Sequence, residues 1–238
     1  MEAVGIIAEY NPFHAGHALH IRETRRQAGE CAVIAVMSGN FVQRGDCAVL
    51  DKWTRARAAL EGGADLVLEL PTVWASASAE GFARGAVGIL EACGVVTRLS
   101  FGSECGDVEK LQQLAACLDS EACQAGLRRF LDEGMPFAAC RQAVVREMLG
   151  RELSDLLSRP NNNLGVEYIR ALNGWNSGIR SLTVRRTGAA HDGGGHPEYP
   201  SASFVREKIL TGELPADNPA GLNYGERGAL AVLRDMGE

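Results

Sequence analysis

Short runs of apolar residues recur along the chain at the length of buried strands. They cover Val4–Ala8, Cys31–Met37, Asp65–Leu70 and Val95–Phe101. Apolar residues at helical spacing fill the segments between them, so the pattern predicts strands that alternate with helices. Strands joined through a helix pair in parallel, with a right-handed crossover. With a further alternating segment at Ser181–Arg186, the chain is predicted to form an α/β fold, a parallel sheet flanked by helices.

Helical periodicity also organises the rest of the chain. A turn-rich stretch, Arg159–Gly165, is expected to form a loop before its helix, and Asp107–Gly150 is expected to form three helical segments. The other expected helices are one that begins near Ala15, Asp51–Leu60, one within Trp74–Cys93, Val166–Leu172, one that begins near Ser201, and Gly225–Met236. We therefore interpret residues 1–106 and 160–212 as a core, 107–159 as a helical insertion and 213–238 as a tail.

Composition is that of an ordinary globular protein, with 46% apolar and 23% charged residues in 238. The formal net charge of −6 gives no global attraction to nucleic acid, although a local basic face would still serve an RNA substrate. The seven cysteines include no Cys-x-x-Cys pair, which favours reduced thiols in a cytoplasmic protein and disfavours structural zinc. Neither a signal peptide nor a membrane span is expected.

The richest candidate chemistry follows the first predicted strand. His14-Ala15-Gly16-His17 lies where a helix begins, and unpaired N–H groups at a helix start attract phosphate. Glycine would let the backbone approach the phosphate, and the imidazoles would donate hydrogen bonds to its oxygens. This pattern after a first strand is a signature of adenylyl-transferring enzymes. The alternative is that such histidines only cap the helix or lie on the surface.

Parallel sheets bind ligands at the carboxyl ends of their strands, so the loops at that edge are candidates for the same site. Gln43, Arg44 and Lys52 would face an anionic group there, or else form a solvated basic surface. Gly102-Ser103 would let an adenine or ribose lie against bare backbone.

Two further helix starts are candidates for nucleotide contacts. Asn161 and Asn162 would read an adenine or a ribose, or simply cap their helix. Ser201, Ser203 and Arg206 would form a second anion site, or else a serine cap with a surface arginine.

These residues belong to blocks that resemble one family, the bacterial tRNA(Met) cytidine acetate ligases. The resemblance runs in order over nearly the whole chain. Its blocks are Gly5–His17, Met37–Gly45, Lys52-Trp53-x-Arg55-Ala56, Gly63–Pro71, Pro160–Asn162, Arg186-x-Gly188-Ala189 and Ser201–Ser203. It departs at Ala190, where the family usually has a tyrosine, and family members are longer than this chain.

The resemblance implies a Rossmann-like nucleotidyltransferase (HUP-type) sheet that uses ATP to activate acetate as acetyl-adenylate. The acetyl group would then pass to N4 of the wobble cytidine of elongator tRNA(Met). It implies ATP contacts from Ile7, Ala8, Glu9, Tyr10, Asn11, Pro12, Phe13, Gly16, His20, Gly102, Asn161, Asn162 and Arg186.

We hypothesise in-line attack of acetate on the α-phosphorus. His14, His17, Lys52 and Arg206 are the catalytic candidates in this scheme, and Ser201 and Ser203 would hold phosphates. Mg²⁺ would neutralise the leaving pyrophosphate, and no metal-ligating residue is predicted. Two alternatives stay open: a small-molecule adenylyltransferase of the nicotinamide or pantetheine type, and a non-catalytic relative that binds ATP or RNA.

Overall fold

The computed structural model describes residues 2–43, 45–186 and 202–211. Its strands are β1 (Glu2–Ala8), β2 (Cys31–Ser38), β3 (Leu66–Leu70), β4 (Val96–Ser103) and β5 (Arg180–Arg185). They form one sheet in the order β3-β2-β1-β4-β5, in which all neighbouring strands are parallel. The predicted α/β fold with a parallel sheet is therefore confirmed.

Helices cover both faces of the sheet. They are α1 (Ala15–Ala28), α2 (Lys52–Glu61), α3 (Thr72–Ala75), α4 (Ala79–Ala92), α5 (Val108–Asp119), α6 (Glu121–Asp132), α7 (Phe137–Leu149), α8 (Arg151–Leu156), α9 (Pro160–Gly174) and α10 (Ala202–Leu210). Within the described ranges, no helix combines the length and apolar character that crossing a bilayer requires. All seven cysteines are free thiols.

Side-chain alternation along β1 divides the core into two layers. Val4 and Ile6 pack with Ile21 of α1 and with Ala58 and Ala59 of α2. The opposite face carries Ile7, which joins a cluster that includes residues of α4 and α9. Helices α1 and α2 therefore lie side by side on one face, and both begin at the carboxyl edge of the sheet.

The structure corrects two predicted boundaries. Gly102 and Ser103 lie within β4, where they pair with β5, rather than after the strand. The asparagines of the expected loop lie in the first turn of α9, which begins at Pro160. Proline suits the first helical position because its missing N–H has no partner there, and the Glu104 carboxylate accepts from the N–H groups of Asn161 and Asn162.

Asp107–Gly150 forms three helices, α5 to α7, as expected, and Gly150 separates α7 from a further helix, α8. The stretch Trp74–Cys93 contains the end of α3 and the whole of α4, with Ser78 as the N-cap of α4. Apolar side chains of α5, α6 and α7 belong to the same buried cluster as Leu99 and Phe101 of β4. The predicted helix and tail after residue 212, together with Arg44 and Ser201, lie outside the described residues.

The strand order reverses direction between β1 and β4. The chain proceeds outward from β1 to β2 and β3 on one side, and from β4 to β5 on the other. Loops at the carboxyl ends of β1 and β4 therefore separate and leave a crevice, which is where open parallel sheets bind ligands. The N-terminus of α1 lies at this crevice.

Candidate active site

His14 is the N-cap of α1, and its ring folds back over the first turn. The Gly16 N–H donates to His14 Nδ1 over 3.0 Å, and the His14 N–H donates to His17 Nδ1 over 3.2 Å. The two rings are nearly stacked, with centroids 3.8 Å apart and an interplanar angle of 32°. Hydrogen bonds from the backbone therefore orient both imidazoles.

These bonds also determine which nitrogen of each ring carries the proton. A backbone N–H can only donate, so Nδ1 of His14 and of His17 must accept. In the neutral imidazoles the proton then resides on Nε2. Each ring consequently offers one Nε2–H donor for a ligand.

The environment keeps the histidines of this helix neutral. Burial, followed by the charges of Arg186 and Arg206, lowers the pKa of His14 to about 3. The pKa of His17 lies well below its ordinary value, through burial and then the charge of His14. Burial and Arg186 lower the pKa of His20 to about 4. At neutral pH the pair at the helix start therefore acts as neutral hydrogen-bond donors.

Gly16 is needed for this arrangement of rings. A Cβ atom at Gly16 would lie 2.9 Å from His14 Cε1 and 3.1 Å from His14 Nδ1. The missing side chain thus leaves space for the imidazole. Because its N–H already donates to His14, the geometry gives Gly16 a role in placing the ring rather than in contacting phosphate directly.

Two arginines from distant parts of the chain complete the crevice. Arg206 of α10 donates from Nη1 to the Asn11 carbonyl over 2.8 Å and from Nη2 to Ser203 Oγ over 3.0 Å. The Arg186 N–H donates to the Ser103 carbonyl over 2.9 Å, which continues the pairing of β5 with β4. Both guanidinium charges act on His14. The predicted histidines and arginines are therefore neighbours.

Gly102 provides room for one of these arginines. A Cβ atom there would lie 3.2 Å from Arg186 Cγ, so the arginine side chain runs close along the backbone of β4. The space left by the missing side chain of Gly102 is therefore occupied by Arg186. The predicted contact of Gly102 with an adenine or a ribose stays a prediction.

The loop after β1 divides into packed and polar residues. Tyr10 and Phe13 are buried, with ring centroids 5.0 Å apart, and the Tyr10 ring also contacts His17 edge-on. Pro12 is buried as well, after a cis peptide bond. The polar residues tie the loop to its neighbours, since Asn11 Oδ1 accepts from the Val49 N–H over 2.8 Å. Ile7 and Ala8 belong to β1.

Lys52 lies at the start of α2 on the same edge. Its Nζ is 2.6 Å from Glu69 Oε2, at the end of β3, and its N–H donates to Asn40 Oδ1 over 2.9 Å. Glu9 Oε1 accepts from the Gln43 N–H over 2.9 Å. The loops after β1, β2 and β3 are therefore linked along this side of the crevice.

Asn161 and Asn162 are bound to Glu104, which follows β4. Asn161 donates from Nδ2 to Glu104 Oε1 over 2.7 Å, whereas the Asn162 Oδ1 accepts from the N–H groups of Glu104 and Cys105. Asn162 is fully buried and also donates to the Leu156 carbonyl. The geometry gives Asn162 a positioning role at this loop, while Asn161 is only half-buried.

His20 lies one turn further along α1 and reaches the sheet. Its Nε2 is 3.1 Å from Ser100 Oγ of β4, and that hydroxyl is 2.7 Å from Thr24 Oγ1. This contact fixes α1 against β4 beneath the crevice.

The principal residue that sequence reasoning missed is Arg55. Arginine side chains are mostly exposed, yet Arg55 is fully buried. Its guanidinium donates to carbonyls at the ends of two strands and the following loop: Glu9 O, Ser38 O, Gly39 O and Leu50 O. The helical spacing held a signal, because Arg55 shares a face with Ala58 and Ala59, which pack on the sheet.

A parallel sheet with a helix start at its switch point, two neutral imidazole donors and two guanidinium groups defines a nucleotidyltransferase-like protein. The family HIGH Nucleotidyl Transferase matches residues 1–223, and the chain belongs to this family. Among curated relatives, the tRNA(Met) cytidine acetate ligase of Syntrophotalea carbinolica is 47% identical over 218 residues, which cover 90% of this chain and 52% of the relative. That of Caldanaerobacter subterraneus subsp. tengcongensis is 44% identical over 217 residues, or 88% of this chain and 53% of the relative.

A solved structure has the same fold over nearly the whole length of this chain. The Thermotoga maritima protein TmcAL, crystallised with alpha-thio ATP, is 37% identical and superposes with a TM-score of 0.87. The match covers 99% of this chain and 56% of the solved one. The resemblance to the cytidine acetate ligases found in the sequence is thus confirmed, as is the HUP-type nucleotidyltransferase fold, and this chain spans about half the length of the relatives it matches.

Proposed function

We propose that the protein is an ATP-dependent ligase that activates acetate as acetyl-adenylate and transfers the acetyl group to N4 of the wobble cytidine of elongator tRNA(Met). One observation supports this most directly: His14 and His17 meet Arg186 and Arg206 at the start of α1. The crevice thereby combines neutral donors with two positive charges, which suits a polyphosphate. The similar proteins are named tRNA(Met) cytidine acetate ligases, which supports a cytidine of tRNA(Met) as the acetyl acceptor.

In the first step a carboxylate oxygen of acetate attacks the α-phosphorus of ATP. The new P–O bond forms as the bond from the α-phosphorus to the bridging oxygen breaks, and pyrophosphate leaves with the electron pair. The Nε2–H groups of His14 and His17 would donate to oxygens that gain charge at the α- and β-phosphates. Arg206, and Lys52 if it releases Glu69, would balance the charge of the departing group.

In the second step the N4 amine of cytidine attacks the acetyl carbonyl. The C–N bond forms, the bond from carbon to the AMP oxygen breaks, and the amine loses a proton to the medium. Pyrophosphate is released only in the first step. Pyrophosphate exchange and labelling of tRNA can therefore separate adenylation from transfer.

Mg²⁺ is proposed to enter with ATP as part of the substrate. Among the described residues there is no cluster of three or more histidine, cysteine or acidic side chains suited to a metal ion. Magnesium in phosphoryl-transfer sites is often held mainly by substrate phosphates and water. The ion would offset part of the negative charge of the triphosphate, and we propose a cytoplasmic location, where ATP and tRNA are present.

The test is incubation with Mg·ATP, radiolabelled acetate and unmodified tRNA(Met), with the label in tRNA as the readout. Acetate-dependent exchange of labelled pyrophosphate into ATP measures the first step alone. Exchange without labelling of tRNA would limit this chain to adenylation. Exchange that ignores acetate would favour a small-molecule adenylyltransferase, and ATP binding without exchange would indicate a non-catalytic relative.

A further inference from the structure

A large aromatic side chain stands in solvent beside the crevice. Trp53, the second residue of α2, is 75% exposed, the largest exposure of any tryptophan in the chain. Removing an indole from water is favourable, and tryptophan is enriched where proteins contact other molecules. The described contacts of its ring are with Lys52, whose Nζ lies 5.2 Å from the ring centroid.

The fold places this ring on the same edge as the histidines. Because α2 connects the parallel strands β2 and β3, it runs against them and begins at the carboxyl edge. Helix α1 begins there for the same reason. The loops that precede the two helices are joined, because the Val49 N–H donates to Asn11 Oδ1 over 2.8 Å. Trp53 and the histidines therefore lie along the same edge of the sheet.

Hydrogen bonds at the start of α2 fix the backbone that carries Trp53. Asp51 caps α2 by accepting from the N–H groups of Trp53 and Thr54. Arg55, two residues later, binds the strand-end carbonyls Glu9 O and Ser38 O. The backbone that carries the exposed indole is consequently rigid, as a preorganised contact requires.

Two cationic residues are neighbours of Trp53 on α2. Arg57 lies four residues after Trp53 on the same face of α2, is exposed, and makes no ion pair within the described ranges. Lys52 Nζ lies 5.2 Å from the centroid of the indole. An aromatic face near cationic groups matches an unpaired nucleobase with its flanking phosphates, because every base stacks and every phosphate is anionic. A protein partner would not require this combination.

We propose that Trp53 is a stacking platform for an unpaired nucleobase of the RNA substrate, with Arg57 contacting the adjacent phosphate. The base lies next to the one that enters the crevice, so the platform positions RNA rather than ATP. This inference rests on the proposed RNA-modifying function and names a residue that would orient its substrate.

The experiment measures binding of a synthetic anticodon stem-loop of tRNA(Met) and, separately, acetate-dependent pyrophosphate exchange without RNA. Trp53→Ala and Trp53→Leu should weaken RNA binding by roughly 5- to 150-fold, because stacking on a protein aromatic typically contributes that much per base. Trp53→Phe retains an aromatic face and should recover most of the affinity. Exchange should stay within about twofold in all three variants.

Phe137→Leu is the matched control, since Phe137 is 57% exposed but lies on α7, which packs against α5, α6 and α8 rather than beside α2. It should leave RNA affinity unchanged. Wild-type affinity in Trp53→Leu, equal losses in Trp53→Phe and Trp53→Ala, or undetectable binding by the wild type would overturn the proposal. So would a change of oligomeric state in Trp53→Ala, which would assign the ring to a second copy. Absent exchange with intact, Trp53-dependent RNA binding would refute the ligase function alone.

Discussion

The imidazoles of His14 and His17 lie 3.8 Å apart, and each accepts a backbone N–H at Nδ1. One short turn of helix therefore holds two nearly stacked rings, each of which carries an Nε2–H donor. The arrangement depends on the N-cap position of His14 and on the space left by Gly16. It separates the structural use of each ring, at Nδ1, from its chemical use, at Nε2.

Replacing His14 by asparagine should separate these two uses. Asparagine is among the best N-cap residues and can accept from the Gly16 N–H, so folding should be preserved. It cannot place a donor where Nε2 stands. Loss of one transition-state donor costs about 2.7–4 kcal/mol, so acetate-dependent pyrophosphate exchange should fall by roughly two to three orders of magnitude. Wild-type exchange in this variant would remove His14 from the mechanism.

Stability should decrease as the solution becomes acidic. The pKa of His14 is about 3 in the folded protein, against about 6.5 in an unfolded chain. Below about pH 6.5 the unfolded chain therefore binds a proton at His14 that the folded protein does not bind. The free energy of unfolding then decreases until the pH reaches about 3. At pH 5 this decrease amounts to about 2 kcal/mol for this group. Urea unfolding at pH 7.5 and 5.0 should show a smaller loss in His14→Asn; equal losses would show that His14 is not buried in its neutral form.

Replacing each of two arginines of α2 by alanine should change the free energy of unfolding by very different amounts. Arg55→Ala deprives buried strand-end carbonyls of their donor and leaves a cavity, so it should cost at least about 3 kcal/mol of unfolding free energy. Arg57→Ala changes an exposed residue on the same helix and should stay within about 0.5 kcal/mol. Denaturant titration compares them. Similar small losses would mean that the guanidinium network adds little.

Arg206 should matter for nucleotide affinity. Arg206→Gln removes the charge and the bond to the Asn11 carbonyl, and hydrogen bonds to charged groups are worth about 1.5–3 kcal/mol. The KM for ATP in the exchange reaction should rise by roughly tenfold or more. Glu207→Gln, an exposed neighbour on α10, provides the control. An unchanged KM in Arg206→Gln would restrict Arg206 to holding the loop.

Lys52 is predicted to act in catalysis, whereas its pairing with Glu69 is a partly exposed ion pair of small energetic value. Lys52→Met should therefore lower exchange at least tenfold while leaving the melting temperature nearly unchanged. Glu69→Gln should preserve exchange, since it leaves the lysine in place. If the two variants lose activity equally, the ion pair rather than the lysine charge is what the reaction needs.

The sheet could be predicted because each strand and helix is visible in a short stretch of sequence. Val4–Ala8 and Cys31–Met37 are apolar runs of strand length, and the helices between them show ordinary periodicity. The predicted start of α9 was wrong because the group that caps this helix is distant in sequence. The Glu104 carboxylate, 57 residues before Asn161, accepts from the N–H groups of the first turn. Without that carboxylate, asparagines next to a proline are typical of a turn.

The site was predictable in its residue types and less so in its contacts. The His14 and His17 spacing indicated the helix start, and the proximity of Arg206 agrees with the two anion sites inferred from sequence. The burial of Arg55 depends on carbonyls from two strands and a loop that only the tertiary fold brings together. The sequence also does not show that the Asn162 side-chain oxygen already accepts hydrogen bonds from the N–H groups of Glu104 and Cys105, because those residues are far away along the chain.

Glu167 of α9, nearly inaccessible to solvent, receives Arg141 from α7 over 2.6 Å and Arg170 over 2.8 Å. Arg170 in turn reaches Asp119 at the end of α5. Excising the segment between β4 and α9 to obtain a minimal nucleotide-handling fragment would therefore remove Arg141 from Glu167 and Asp119 from Arg170, and it would expose the apolar side chains of α9 that pack against α5. A smaller catalytic unit would have to be engineered by repacking α9 rather than by simple trimming.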